Sequence, residues 1–247
     1  MKCKALVLAA GKGSRLLVGD DITPKPLHLA NGKPIIEYVL EGLSFMEPQD
    51  ITIVVGYMHE MMEEYLAGRG YNTVLQMPQH GTGHAVKLCA PDLADYDGAV
   101  LVCFGDTPLI MPQTYQRMVR TLEEENADCT VLVADLKPMT QPYGRIVRDA
   151  DGSFVTVVED SDCTPEQKLI TEVNVGIDVF NWQKILPLLE QMSNDNRKKE
   201  YYITHMPGIV VENGGKTVSV SVADNSEILG INTPEDLQEV ERILNIR

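Results

Sequence analysis

The chain has 247 residues, 44% of them hydrophobic and 23% charged, enough apolar material for one large α/β domain or two small ones. Its formal net charge of −15 repels polyphosphate backbones and anionic lipid surfaces, so neither a nucleic acid nor a membrane is expected as its main partner. Five widely spaced cysteines (Cys3, Cys89, Cys103, Cys129, Cys163) show no metal-ligand spacing or disulfide framework, and a reducing, cytosolic location is expected.

The first apolar run, residues 5–8, reads as a buried strand and leads into the glycine loop Gly11-Lys12-Gly13-Ser14-Arg15. The stretch 5–10 is too short for the core of a signal peptide, and nothing in the chain approaches the ~20 apolar residues that span a bilayer. A helix is expected from Pro34, burying Ile35, Val39 and Leu43 at helical spacing. Buried strands follow over 51–55 and 99–104, then a helix from near Pro112 that aligns Tyr115, Met118, Val119 and Leu122. Such strand–helix alternation predicts right-handed crossovers and an α/β fold with a Rossmann-like, doubly wound sheet.

From about Ala127 strands dominate, over 129–135, 144–148, 153–159 and 173–180, which predicts a mixed sheet with a β-rich second half. Within the last of these the valines and Ile177 share one face and Asn174 takes the other. A strand over 218–222, a loop through Gly230-Ile231-Asn232 and a helix capped by Thr233, with Asp236 three residues on, close the chain. With no internal repeat and no Gly/Ser linker, one continuous domain over 1–247 is expected.

The glycine loop sits at a strand's carboxyl end, where open α/β sheets bind ligands. Its N–H groups can close around phosphate oxygens, Lys12 and Arg15 bring cations, and a following helix would add its positive end. The spacing fits neither a Walker loop nor the dinucleotide fingerprint. Taken alone, the loop reads equally as a tight connection that needs small residues.

Its companions narrow the choice. The run Leu8-Ala9-Ala10-Gly11-Lys12-Gly13-Ser14-Arg15, followed by Pro24-Lys25-Pro26-Leu27, resembles the sugar nucleotidyltransferase (pyrophosphorylase) family. In the same order come Gln76, Gln79-His80-Gly81-Thr82-Gly83-His84-Ala85, Gly105-Asp106-Thr107-Pro108, Tyr143-Gly144-Arg145-Ile146, Glu172-Val173-Asn174-Val175-Gly176 and Glu200-Tyr201-Tyr202-Ile203-Thr204. The likeness covers nearly the whole chain. It is greatest to the uridylyltransferase members that act on N-acetylglucosamine 1-phosphate.

The resemblance implies a nucleotide-diphospho-sugar transferase fold, with a nucleotide-binding half over about 1–126 and a sugar-binding half over about 127–247. It implies UTP and a sugar 1-phosphate as substrates and Mg²⁺ as cofactor. Ala10, Gly11 and Gly13 would cradle the nucleotide, Arg15 the β- and γ-phosphates, and Lys25 would neutralise the reacting phosphates. Gln76, with donor and acceptor on one amide, would read uracil beside Gly81 and Thr82. Asp106 and Asn232 would hold the metal; Gly144, Glu159 and Asn174 would bind the sugar. Residue by residue, solvated loop cations, turn-formers and polar notches remain alternative readings. The nucleophile is already an anion, so no catalytic base is required.

Three features depart from the family pattern: a longer loop between Arg15 and Lys25 carrying Asp20-Asp21, the acidic run Asp160-Ser161-Asp162 after Glu159, and His205 after the Tyr-Tyr-Ile-Thr motif. They make the sugar, or a CTP- or dTTP-dependent relative, the open point. His84 is expected to pack or end a helix. No hexapeptide repeat occurs, so acetyl transfer is not expected.

Overall fold

In the computed structural model, which describes residues 1–16, 21–139 and 141–247, the apolar runs of the first half are parallel strands. In chain order come β1 (Cys3–Leu8), the short hairpin β2 (Leu29–Ala30) and β3 (Lys33–Pro34), α1 (Ile35–Gly42), β4 (Ile51–Val55), α2 (His59–Leu66), β5 (Asn72–Leu75), α3 (Thr82–Cys89), β6 (Ala99–Phe104) and α4 (Pro112–Glu124). The second half adds β7 (Cys129–Asp135), β8 (Gly144–Arg148), β9 (Phe154–Val158), β10 (Glu172–Asn181), α5 (Trp182–Ile185), α6 (Met206–Glu212), β11 (Thr217–Ser221) and α7 (Pro234–Leu244).

One nine-stranded mixed sheet carries the fold, in the order β11-β7-β10-β6-β1-β4-β5, with β8 paired to β10 and β9 to β8. Strands β6, β1, β4 and β5 are mutually parallel, whereas β10 runs antiparallel to both β6 and β7. The second half of the chain therefore extends the sheet of the first half directly.

Alternation decides which side each residue covers. Val7, Ile53 and Leu101 meet Ile36 and Val39 of α1, its C-cap Leu43, and Tyr115 and Met118 of α4 on one face. Leu6, Val54, Val100 and Val102 meet Val86 of α3, Trp182 and Met206 on the other. Each such fully buried aliphatic side chain stabilises by about 1.5–3 kcal/mol. A smaller cluster joins Ile35 and Leu109 to Ile231 and Val240 of α7, and so holds the C-terminal helix beside the loop after β6.

Two expectations are adjusted. Pro34 caps α1 rather than opening it, because its ψ of 139° is extended; Ile35 is the first helical residue. Among the described residues no α-helix follows the glycine loop before Ile35: Ser14–Leu16 form a turn, and residues 17–20, Asp20 among them, lie outside the described residues. At the other end the expected cap is present as a full capping box: Thr233 Oγ1 accepts from Asp236 N–H, and the Asp236 carboxylate accepts from Thr233 N–H.

Candidate active site

The carboxyl ends of the parallel strands open into a cavity of about 440 Å³. Its lining includes Ala10, Gly11, Gly13 and Arg15 after β1, Lys25, then Gln76, Gly81 and Thr82 between β5 and α3, Asp106 after β6, and Asn232 before α7. A second cavity, of about 340 Å³, adjoins it through Thr82, Phe104 and Glu200 and is lined by Gly144, Glu159 and Asn174. All the nominated residues thus face one bipartite cleft.

At the centre, the Lys25 ammonium donates to the Asp106 carboxylate and to Asn232 Oδ1 (2.9 Å). Arg15 donates to the same Asn232 oxygen at 3.3 Å. Lys25 is only 9% exposed and reaches this point because Gly13 has no side chain: a Cβ there would stand 2.5 Å from that of Lys25. Gly13 also has φ +64°, which glycine adopts without strain. Gly11, by contrast, has open space around it. Of the two loop cations only Arg15 lines the cavity; Lys12 lies 5.3 Å from the Tyr57 ring centroid instead. The Ala10 carbonyl is tied back by Tyr57 N–H (3.0 Å) and Gln79 Nε2 (3.2 Å), which fixes the loop's entry.

Asp106 and Asn232 converge on one cationic point, although no sequence spacing joins them. A carboxylate and an amide oxygen are hard donors of the kind Mg²⁺ accepts, with phosphates and water completing its shell. The pair therefore fits a divalent cation. Among the described residues no group of three His, Cys, Asp or Glu side chains is gathered for a metal.

Gln76 is 4% exposed, a buried amide. Its Nε2 donates to the Gly81 carbonyl (2.9 Å) and lies 3.2 Å from His84 Nδ1. The donor end expected to face a base is therefore engaged within the protein, which leaves the amide oxygen for a ligand. Gly81 has φ +100°, and a Cβ would collide with the Tyr201 carbonyl; only glycine fits. Thr82 Oγ1 accepts from Ile203 N–H at 3.0 Å, so this hydroxyl is also partly committed.

In the second cavity Asn174 Oδ1 accepts from Gly176 N–H (3.0 Å) across an irregularity in the β10–β7 register. Its NH₂ is thereby directed away from that bond. Glu159 accepts from Thr204 Oγ1 at 2.5 Å. Gly144 pairs with Asn174 on β10, and a Cβ at Gly144 would stand 3.0 Å from Val157 Cγ1. The acidic run after Glu159 is less anionic than its sequence: buried Arg145, 3% exposed, pairs with Asp160 at 3.0 Å. His205 packs edge-on against Tyr202 (5.3 Å), and burial lowers its pKa. The Tyr202 hydroxyl is pushed up to about 12, chiefly by burial, and serves as a neutral group. Sequence reasoning gave no site role to Gln79, His84, Phe104, Arg145 or Glu200. For Gln79, His84, Arg145 and Glu200 only the ordered motifs containing them could have pointed there; Phe104, the last residue of β6, lies in none of them.

Residues 5–200 match the MobA-like NTP transferase domain family. The chain belongs to that family. It is 38% identical over 247 residues to the bifunctional protein GlmU of Lactobacillus delbrueckii subsp. bulgaricus, covering 100% of this chain and 52% of the relative. The GlmU of Clostridium perfringens is 38% identical over 246 residues, covering 100% of this chain and 53% of that one. The chain thus spans about half the length of the curated relatives it matches. Among solved structures, HddC from Yersinia pseudotuberculosis complexed with GMP-PN superposes with a TM-score of 0.68 at 17% identity, over 98% of this chain and 99% of that one. At that identity the likeness establishes the shared fold. No helix among the described residues is long and apolar enough to cross a membrane.

Proposed function

We propose that the chain is a sugar nucleotidyltransferase that transfers a uridylyl group from UTP to a sugar 1-phosphate, N-acetylglucosamine 1-phosphate first among candidates, and releases pyrophosphate. The observation that carries this reading is the meeting of Lys25, Arg15, Asp106 and Asn232 at one point of a cleft whose second cavity opens beside it. The 1–126 half would hold the nucleotide and the 127–247 half the sugar, within one domain.

In the proposed reaction a phosphate oxygen of the sugar 1-phosphate forms a bond to the α-phosphorus. The bond from that phosphorus to the bridging oxygen of pyrophosphate breaks, and the leaving group departs as an anion. No proton has to be removed from the nucleophile, so the protein's task is positioning and charge neutralisation. Lys25 would release its internal partners and neutralise the reacting phosphates, while Arg15 would hold the β- and γ-phosphates. Mg²⁺, held by Asp106 and Asn232 together with substrate phosphates, would supply further neutralisation of charge on the reacting oxygens. Ala10, Gly11 and Gly13 would line the phosphate path; Gly144, Glu159 and Asn174 would bind sugar hydroxyl or acyl groups.

An imide base is favoured by the state of Gln76. Uracil presents an N3–H donor, which a free amide oxygen accepts; cytosine's N3 is a bare acceptor that the oxygen repels, so cytosine could meet it only through its 4-amino group, in a shifted position. The five free cysteines agree with a cytosolic enzyme. Pyrophosphate release across UTP, CTP and dTTP with a panel of sugar 1-phosphates, with and without Mg²⁺, tests the reading. Turnover with UTP that requires metal is expected, and no turnover with any pair would sink it.

A further inference from the structure

His84 stands outside the roles assigned above. It lies in the first turn of α3, and its ring Nδ1 faces Gln76 Nε2 at 3.2 Å. The same Nε2 donates to the Gly81 carbonyl at 2.9 Å. A carbonyl can only accept, so it fixes which end of the amide is nitrogen. With Nε2 so placed, its second hydrogen points to His84, and Nδ1 must be the unprotonated, accepting nitrogen of a neutral ring. Both amide hydrogens are then used by two residues of one helix start.

That helix start is itself held. Gly81 accepts the first helical bond from Ala85 N–H (3.3 Å), Gly83 N–H donates to the Tyr201 carbonyl (2.7 Å), and Gln76 N–H donates to Val55 O (2.8 Å) at the end of the neighbouring strand. Burial, together with nearby His80 and Lys87, lowers the His84 pKa and agrees with the neutral ring. His84 touches neither the phosphate loop nor the Lys25–Asp106–Asn232 group through any hydrogen bond among the described residues.

We propose that His84 is a positioning residue for base selection: by taking the second hydrogen of the Gln76 amide, it leaves Gln76 able only to accept. Without His84 one N–H is freed, and the amide can turn it toward the cleft. Gln76 could then donate to the N3 of cytosine, for which the locked amide has no donor. The proposal rests on the reading of Gln76 as the base-contacting residue.

The test compares His84→Leu, which removes the acceptor, with His84→Asn, whose Oδ1 can accept from Gln76 in its place. For each, direct calorimetric binding of UTP and CTP is measured beside pyrophosphate release and thermal melting. His84→Leu is expected to raise the Kd and KM for UTP about tenfold, to shift the UTP-to-CTP preference toward CTP by a similar factor, and to leave kcat and the sugar-phosphate KM within twofold. His84→Asn is expected to recover most of the preference. An unchanged preference in His84→Leu overturns the proposal. So does a uniform loss of kcat and melting temperature that His84→Asn fails to repair, since that marks a packing role alone. Wild-type protein that binds UTP selectively but releases no pyrophosphate defeats the transferase reading, and the His84 comparison then proceeds on binding alone. Wild-type protein with no preference between UTP and CTP overturns the His84 proposal while leaving transfer intact.

Discussion

The two cavities of the cleft are built in different ways. The first lies at the carboxyl ends of parallel strands, and most of its polar residues arrive on loops leaving β1, β5 or β6 or entering α7, with Thr82 at the start of α3 and Glu200 from the segment before α6. The second is lined by the antiparallel strands β8 and β10, by Glu159 just past β9 and by the segment 198–204, and a register shift turns Asn174 and Gly176 toward each other. In the first, cations and oxygens meet at one point, and one partner would have to exchange for a ligand. In the second, Glu159 and Asn174 already hold neutral partners, and the adjoining Arg145 pairs with Asp160. The difference teaches that charge chemistry belongs to the strand-end loops, while the sheet supplies a shaped, internally satisfied surface for selectivity.

Substitutions that act on one cavity and spare the other probe this contrast. The largest effect is expected at the charged meeting point. Asp106→Ala should lower kcat on the order of a thousandfold while the circular dichroism spectrum is kept. Residual activity near wild type would show that the carboxylate is not at the reacting centre. Next comes Gly81→Ala: the positive φ and the Tyr201 carbonyl leave no room for a Cβ, so a loss of about 1–3 kcal/mol in urea unfolding is expected. Nucleotide affinity should fall with it, and sugar-phosphate affinity should fall less.

On the other side, Asn174→Ala should raise the KM for the sugar 1-phosphate about tenfold and leave the KM for the triphosphate near its starting value. Equal changes in both would erase the distinction between the cavities. The smallest effect on activity is expected below the cleft, at Asp178 on β10. This carboxyl is fully buried, neither oxygen has a partner, and burial pushes its pKa well above the carboxylate range. The folded protein keeps the proton that the unfolded chain loses above about pH 4, so stability is lost as pH rises past that value. Asp178→Asn should therefore melt higher than wild type at neutral pH. The gap should widen by up to about 1.4 kcal/mol per pH unit above about pH 4, until the folded carboxyl ionises, and should vanish below pH 4. A constant gap across pH would show that ionisation of Asp178 is not its source.

The strand-like runs over 51–55, 99–104 and 129–135 match the strands to the residue, because a strand buried on both faces is nearly continuous in apolar residues, broken inside these only by Thr52 and Thr130. Thr233 and Asp236 announced the α7 cap, since a capping box needs only local geometry. The ordered motifs named the cleft residues, and the cavities gather them. What remained hidden depended on contacts between distant segments. Nothing in the spacing of Asp106 and Asn232 says that Lys25 holds them together, because that contact depends on Gly13 making room and on α7 packing beside Leu109. Asp160 reads as a free acid until Arg145, on the neighbouring strand, is seen to pair with it. The glycine loop reads as leading into a helix, whereas among the described residues Ser14–Leu16 form a turn and the next α-helix begins at Ile35.

Local pattern by itself determined eight of the strands, the helices α1, α4 and α7, the α7 cap and the order of the motifs, all of which rest on neighbours within a few residues; it did not give α2, β5, α3, α5, α6 or the β2–β3 hairpin. Only the tertiary structure decided which hydrogen-bonding groups are already occupied. Gln76 could donate or accept as a sequence letter; packing α3 against the end of β5 directs its NH₂ to Gly81 and His84 and leaves its oxygen free.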